Sequence, residues 1–118
     1  MDKEQLLDGL VYLSREVGRE DRQLAILGEG NTSADGGDGT FWIKASGAQL
    51  ATCDETSFSR VKLDYILELL QTNSLSDEEV QRELLNSLVD ETQKKPSVET
   101  FFHAICIHEA GAKFIAHT

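Results

Sequence analysis

The sequence predicts an α/β domain, in which helices pack on a sheet, and three observations support that class. Apolar residues recur at helical spacing on one side of the segment from about Lys3 to Val17, which predicts an amphipathic helix that covers a sheet. Residues 24–27 are a short apolar run typical of a buried strand. Glycines and aspartates at residues 35–39 then predict a hairpin turn, with Thr40–Lys44 as the returning strand.

The second half of the chain adds a short strand and further helices to this fold. Residues 59–63 are consistent with a short or edge strand, and residues 64–70 with a helix. Ser76 and Glu79 have the spacing of a capping box, which predicts the start of another helix. The buried stripe of that helix is expected to consist of Val80, Leu84, Leu85, Leu88 and Val89. We interpret these two helices as a scaffold without chemistry.

The chain is acidic, and this narrows the classes of partner. Acidic residues outnumber basic ones 21 to 11, which gives a net charge of −10. Nucleic acids and anionic membranes require a basic surface, so neither is an expected partner. A phosphorylated small molecule needs only local hydrogen-bond donors and is compatible with this charge.

Cys53 and Cys106 lack CxxC spacing, which argues against a disulfide framework and against a zinc knuckle. Cys106 is expected in the core.

The length of 118 residues corresponds to one domain or to part of one. The sequence contains neither a secretory signal nor an apolar run long enough to cross a membrane, so we expect a cytoplasmic protein. The final residues form an apolar strand with no turn after it. Because such a strand edge is exposed to pairing with other chains, we expect the domain to be truncated.

Two glycine-containing loops are candidates for ligand binding. The first is GEGNTSA at 28–34, where glycines and small polar residues follow a strand and expose backbone N–H groups. Such a loop can accept an anion or a sugar hydroxyl, but a tight turn with Asn31 in the left-handed conformation explains the residues equally well. The second loop contains Ser46 and Gly47, after the returning strand. Because both loops follow neighbouring strands, they can face the same crevice.

The segment that begins at the only proline, Pro96, predicts the start of the last helix, where the missing N–H of proline is not needed. Ser97 is either an N-cap or a hydroxyl that binds an anion together with the first-turn N–H groups. Glu99 falls in the predicted first turn, where the helix dipole favours a carboxylate and would hold a base ionised. The face predicted to be buried comprises Val98, Phe101, Phe102, Ile105 and Cys106.

Three histidines follow, and their positions have different implications. Glu99 and His103 are four residues apart and can form a simple pair on one side of the helix. His103 and His108 point to different sides and make a poor pair of ligands, so His108 is predicted to lie on the surface. A glycine C-cap then leads into a buried strand, residues 112–116, after which comes His117. A lone histidine at a strand end is more often structural than a metal ligand.

Together, these segments resemble the class II aldolase/adducin N-terminal family. GEGNTS at 28–33 matches the Gly-Asn-x-Ser loop of that family, and KASG at 44–47 matches its Ser-Gly loop. PSVE at 96–99 matches the Pro-Ser-Ser-Glu helix start, and FIAHT at 114–118 matches the beginning of the His-x-His strand. The four matches occur in the order of the family across most of the chain.

The resemblance implies a three-layer α/β/α domain with a mixed, largely antiparallel central sheet, of which residues 1–118 are the N-terminal portion. It also implies a homotetrameric lyase that cleaves a ketose phosphate through an enediolate bound to a divalent metal ion, usually zinc. Glu99 would be the acid/base, and His117 would be the first of three metal histidines. The positions that would bind the substrate phosphate are Gly30, Asn31, Ser46, Gly47 and Ser97.

The match to the family is incomplete at two places. Val98 stands where phosphate-binding members often carry a second serine, so one hydroxyl donor is missing. The second and third metal histidines would fall beyond Thr118, and a catalytic zinc site usually has three protein ligands. This chain by itself is therefore expected to bind metal poorly and to be inactive.

Three alternatives stay open. Within the family, the same groups can carry out epimerisation or dehydration of a sugar phosphate. Outside catalysis, the chain could be an adducin-like binding module that kept the fold and lost the chemistry, although such a module has no need of Glu99 and His117. The third alternative is a small, self-contained α/β domain without a site.

Overall fold

The computed structural model of this chain describes residues 2–19, 30–72 and 74–117. The helices in these ranges are α1 (Lys3–Val17), α2 (Leu63–Leu69), α3 (Asp77–Asn86) and α4 (Thr100–Ala110). The strands are β1 (Asn31–Asp35), β2 (Thr40–Lys44), β3 (Phe58–Lys62) and β4 (Phe114–His117). Two short 3₁₀ helices, Leu50–Thr52 and Glu55–Ser57, lie between β2 and β3. The prediction for α1 is confirmed, and the strand predicted at residues 24–27 lies outside the described residues.

The strands form one sheet in the order β3–β2–β1–β4, and every strand pair within the described ranges is antiparallel. The predicted hairpin joins β1 to β2, and Gly37 and Gly39 within it adopt positive φ angles of 78° and 85°. Glycine suits these angles because it has no Cβ. β4 follows α4 and pairs with β1, so that Asn31 lies opposite His117. This pairing brings the first candidate loop next to the last candidate site residue.

Alternating side chains along the strands divide the core into two clusters, one on each face of the sheet. α1 covers the first cluster, which consists of Leu6, Leu7, Leu10, Ala34, Trp42, Cys53 and Phe58. α2 and α4 cover the second cluster, which consists of Phe41, Ile43, Val61, Ile66, Leu88, Ala104 and Ile107. Helices on both faces of an antiparallel sheet give the three-layer α/β/α arrangement. The predicted fold class is confirmed.

The buried stripe predicted for α3 is only partly correct, although the capping box at the start of the helix is confirmed. Leu84 and Leu88 are buried, whereas Leu85 and Val89 are exposed. The helix ends at Asn86, and the segment after it runs beside β3 instead of continuing the helical turns. Helical spacing therefore does not apply to the last two residues of the predicted stripe.

The buried face of α4 differs from the predicted one. Val98, Phe102 and Ile105 are exposed, and Phe101 and Cys106 are half-buried. The residues of α4 that are buried are Thr100, His103, Ala104 and Ile107. Since α4 carries apolar side chains on nearly every side, hydrophobicity alone does not identify the face that packs on the sheet. The polar residues on the buried face, Thr100 and His103, form hydrogen bonds with Ser97 and Ser33 respectively. The sequence does not reveal these partners.

β4 is less buried than predicted, because within the described residues it pairs only with β1 and lies at the edge of the sheet. Ala116 is exposed, and the other residues of β4 are half-buried.

Gly111 ends α4 in the left-handed conformation, with φ of 66°, and His108 is exposed, as predicted. None of the helices in the described ranges is long and apolar enough to cross a membrane.

Candidate functional site

Glu99 and His117 meet where the start of α4 approaches the end of β4. Glu99 immediately precedes α4, and His117 is the last residue of β4. The Glu99 Oε2 atom lies 3.4 Å from the His117 Nδ1 atom, and the two side chains are 38% and 42% exposed. Gly111 reverses the chain between the helix and the strand, which returns His117 to the start of the helix. A carboxylate and an imidazole therefore lie side by side with access to solvent.

Asn31 is the cross-strand neighbour of His117 in the β1–β4 pair. It is 9% exposed, and its Oδ1 atom has no hydrogen-bond partner in the part of the chain that the structure describes. The left-handed conformation considered for Asn31 is wrong, since Gly30 takes the positive φ angle, 85°, and Asn31 begins the strand. Residues 28 and 29 of the same loop lie outside the described residues.

The turn that contains Ser46 and Gly47 is joined to the segment that leads into α4. The Ser46 N–H donates to the Lys95 carbonyl at 2.9 Å. The Ser97 N–H donates to the Lys44 carbonyl at 3.1 Å. Gly47 has a positive φ angle of 86°, and both residues of the turn are exposed. Two of the candidate binding segments are thus held together by backbone hydrogen bonds.

Ser97 organises a turn before α4. Its Oγ accepts a hydrogen bond from the Glu99 N–H at 3.2 Å, and its carbonyl accepts one from the Thr100 N–H at 3.1 Å. Because Pro96 forms an antiparallel bridge with Ala45, the helix begins only at Thr100. The predicted helix start at Pro96 and the first-turn position of Glu99 are therefore wrong. Ser97 is buried, and its bond to the backbone of Glu99 ties the serine to the candidate acid/base.

Lys44 supports this site and was not among the predicted site residues. It is 2% exposed, and its Nζ donates to the Ala48 carbonyl at 2.5 Å, across the turn of Ser46 and Gly47. Burial lowers the pKa of Lys44, because the charged ammonium loses its hydration. The signal in the sequence was a lysine at the end of an otherwise apolar strand.

His103 also lies near the site and was not among the predicted site residues. It is 0% exposed, its Nδ1 atom is 2.5 Å from the Ser33 Oγ, and its ring centroid is 6.2 Å from that of His117. Burial, and to a smaller extent the neighbouring His117, lower the pKa of His103 to about 4. The Glu99 carboxylate, with which it could have paired, contacts His117 instead. The sequence signal for its burial was that His103 lies on the same side of α4 as Thr100, Ala104 and Ile107.

Glu99 and His117 are the side chains here that could hold a divalent metal ion, since carboxylate oxygens and imidazole nitrogens are usual zinc ligands. In residues 2–19, 30–72 and 74–117, no group of three or more His, Cys, Asp or Glu side chains is arranged to hold an ion. A catalytic zinc ion usually has three protein ligands. The described residues therefore fit only part of such a site.

Sequence comparison identifies known proteins that this chain resembles. The sequence model described as "Class II Aldolase and Adducin N-terminal domain" matches residues 8–118. The uncharacterized oxidoreductase YuxG of Bacillus subtilis (strain 168) is 34% identical to this chain, and the 120-residue alignment covers 95% of this chain and 17% of YuxG.

Solved structures share the fold. The N-terminal class II aldolase domain of a conserved protein from Thermoplasma acidophilum superposes with a TM-score of 0.78 at 32% identity, covering 94% of this chain and 53% of that one. L-fuculose 1-phosphate aldolase superposes with a TM-score of 0.64 at 16% identity, covering 100% of this chain and 45% of that one. The chain thus spans about half the length of these structures and 17% of the curated relative.

Proposed function

Because the chain belongs to the class II aldolase and adducin N-terminal domain family, we propose that it contributes to a metal-dependent lyase that cleaves a ketose phosphate. In this proposal, residues 1–118 are the N-terminal portion of the catalytic domain, and residues outside this chain complete the metal site. The fold shared with L-fuculose 1-phosphate aldolase supports this class of reaction.

The contact between Glu99 and His117 is the observation that carries the proposal. A general acid/base must lie close to the metal site at which the substrate would bind. The Glu99 Oε2 and His117 Nδ1 atoms lie 3.4 Å apart, which meets this requirement. The two residues come from different elements, the start of α4 and the end of β4, so the sequence spacing alone does not bring them together. Their partial exposure leaves both accessible to a ligand.

Five residues are proposed to bind the substrate phosphate, namely Gly30, Asn31, Ser46, Gly47 and Ser97. The backbone bonds between the Ser46 turn and the Ser97 segment support a single pocket for at least part of this set. The exposed Val98 offers no hydroxyl, so the phosphate relies on fewer side-chain donors than in relatives with a second serine. The phosphate group would bind at a distance from the reacting carbon. The binding energy of the phosphate would then hold the whole substrate in an orientation suited to the reaction.

Glu99 is proposed as the general acid/base. Its side chain lies beside the start of α4 and is exposed enough to meet a ligand. A divalent ion, when bound at His117, supplies a Lewis acid for the ketose carbonyl. Glu99 accepts or returns the proton on the carbon next to that carbonyl, a transfer that contributes about 10²–10⁴-fold to the rate.

The resemblance to the family also extends the proposal to other reactions and properties. Epimerisation and dehydration of a sugar phosphate use the same acid/base, and an adducin-like module would use the fold for binding alone. Zinc as the resident ion, a homotetrameric assembly and a cytoplasmic location are proposed on the same ground.

The proposal is tested in the natural protein that carries this chain, supplied with Zn²⁺ and with L-fuculose 1-phosphate or other ketose 1-phosphates. Proton NMR of the products distinguishes release of an aldehyde, inversion of a carbon and loss of water. We expect release of an aldehyde. Binding of the sugar phosphate without any reaction would instead favour the adducin-like module, and the absence of both binding and reaction would sink the proposal.

A further inference from the structure

We propose that His103 and Asn31 form a subsite that binds one hydroxyl group of the ligand beside His117. The inference rests on the proposed function in so far as a sugar phosphate occupies the site. It adds the two atoms that would bind one hydroxyl group of that sugar.

The pairing of β1 with β4 brings these residues to one face of the sheet. Asn31 and Ser33 are two residues apart in β1 and therefore point to the same face. The Ser33 Oγ contacts the His103 Nδ1, and Asn31 lies opposite His117. The ring centroids of His103 and His117 are 6.2 Å apart. The amide and the two imidazoles thus lie in one region, next to the carboxylate of Glu99.

Each residue of the subsite has one buried polar atom without a partner. Among the described residues, the Asn31 Oδ1 and the His103 Nε2 are shielded from solvent and form no hydrogen bond. The large majority of buried polar atoms in folded proteins have at least one partner. Asn31 and His103 are both neighbours of His117, and one bound group can supply the missing partner of each atom.

The tautomer of His103 follows from the number of unpaired groups in each arrangement. If the Ser33 hydroxyl donates to Nδ1, the ring carries its proton on Nε2, and that N–H is the group left unpaired. If Nδ1 donates instead, the Ser33 hydroxyl proton and the Nε2 lone pair are both left unpaired inside the core. Because each buried unpaired group is destabilising, the structure favours the proton on Nε2.

An N–H donor and a carbonyl acceptor are together complementary to a hydroxyl group, which accepts one hydrogen bond and donates another. An anion without a proton cannot donate to the Asn31 Oδ1, and a cation cannot accept a hydrogen bond from the His103 N–H. The Nδ2 group of Asn31 stays available for the neighbouring phosphate. A hydroxyl group on the same molecule as the phosphate therefore fits both residues.

Nitrogen-15 NMR of the full chain measures the tautomer of His103 directly. We expect its proton on Nε2, and we expect the Nε2 resonance to shift on titration with erythritol, a neutral polyol, but not with inorganic phosphate. A proton on Nδ1, or an Nε2 resonance that erythritol leaves unmoved, would overturn the subsite. Neither result depends on phosphate binding, so the subsite and the proposed function can fail separately.

His103→Gln and His103→Asn are a matched pair, because the Gln amide reaches the Nε2 position and the Asn amide reaches only the Nδ1 position. The measured quantity is the affinity for glycerol 1-phosphate divided by the affinity for inorganic phosphate. We expect His103→Gln to keep this ratio and His103→Asn to lower it about 10-fold, through loss of one hydrogen bond. His108→Gln, on the exposed side of the same helix, controls for loss of an imidazole.

Equal ratios in the two His103 variants would contradict the subsite. If the wild-type chain binds neither phosphate compound, the proposed phosphate site fails, and the erythritol titration decides the hydroxyl subsite by itself.

Discussion

Replacing Glu99 by Gln is expected to lower the turnover of a ketose phosphate by about 10²–10⁴-fold in the protein that carries this chain, because an amide cannot exchange the substrate proton. The free energy of unfolding should change by less than about 1 kcal/mol, since the Glu99–His117 contact is partly exposed. Steady-state kinetics measure the first effect, and thermal unfolding measures the second.

Glu109→Gln is the matched control for this variant. Glu109 is an exposed carboxylate at the opposite end of α4, 3.8 Å from the His108 Nε2, and its replacement makes the same change in charge. We expect it to leave turnover within the error of the wild-type value. Equal turnover in the Glu99 and Glu109 variants would show that Glu99 is not the acid/base.

The second large effect is a loss of stability in acid that originates from His103. Its pKa is about 4 in the folded chain, against an ordinary value of 6.5. Between these pH values the unfolded chain binds a proton at this imidazole and the folded chain does not, so the free energy of unfolding falls as the pH decreases. Above about pH 6.5 the imidazole is neutral in both states, and the folded chain keeps its full stability with respect to His103. We expect a loss of about 3 kcal/mol by pH 4, of which about 2 kcal/mol falls between pH 7 and pH 5.

His103→Gln removes the titrating group and keeps a polar side chain at the position. Between pH 7 and pH 5 this variant should lose about 2 kcal/mol less unfolding free energy than the wild type, measured by chemical denaturation. His108→Gln is the control for removal of an exposed imidazole from the same helix. The same pH slope in the wild type and in His103→Gln would contradict the buried, neutral state of His103.

Local sequence signals were sufficient where a segment has one apolar side or demands a special backbone angle. α1 was predicted with its observed bounds because its buried residues, such as Leu6 and Leu10, lie on one side while Tyr12 is exposed. The hairpin was predicted because Gly37 and Gly39 suit positive φ angles. These features depend on residues close together in the chain, and periodicity and turn chemistry describe them well.

The details of the site depend on contacts between distant residues, which periodicity does not contain. Asn31 is in a strand instead of a turn because β1 pairs with β4. The helix after Pro96 starts late because that residue bridges to Ala45. His103 is buried because its polar ring has Ser33 as a partner on β1. The resemblance selected candidate residues, but only the tertiary structure shows that Glu99 lies beside His117.

Metal content tests most directly the central claim, that Glu99 and His117 belong to one metal-dependent site. The natural protein that carries this chain is purified as wild type, as His117→Gln and as His108→Gln, and zinc is measured by elemental mass spectrometry. We predict about one zinc ion per chain in the wild type and in His108→Gln, and a nearly complete loss in His117→Gln. Equal zinc content in the wild type and in His117→Gln, or no bound divalent ion in the wild type, would contradict this claim.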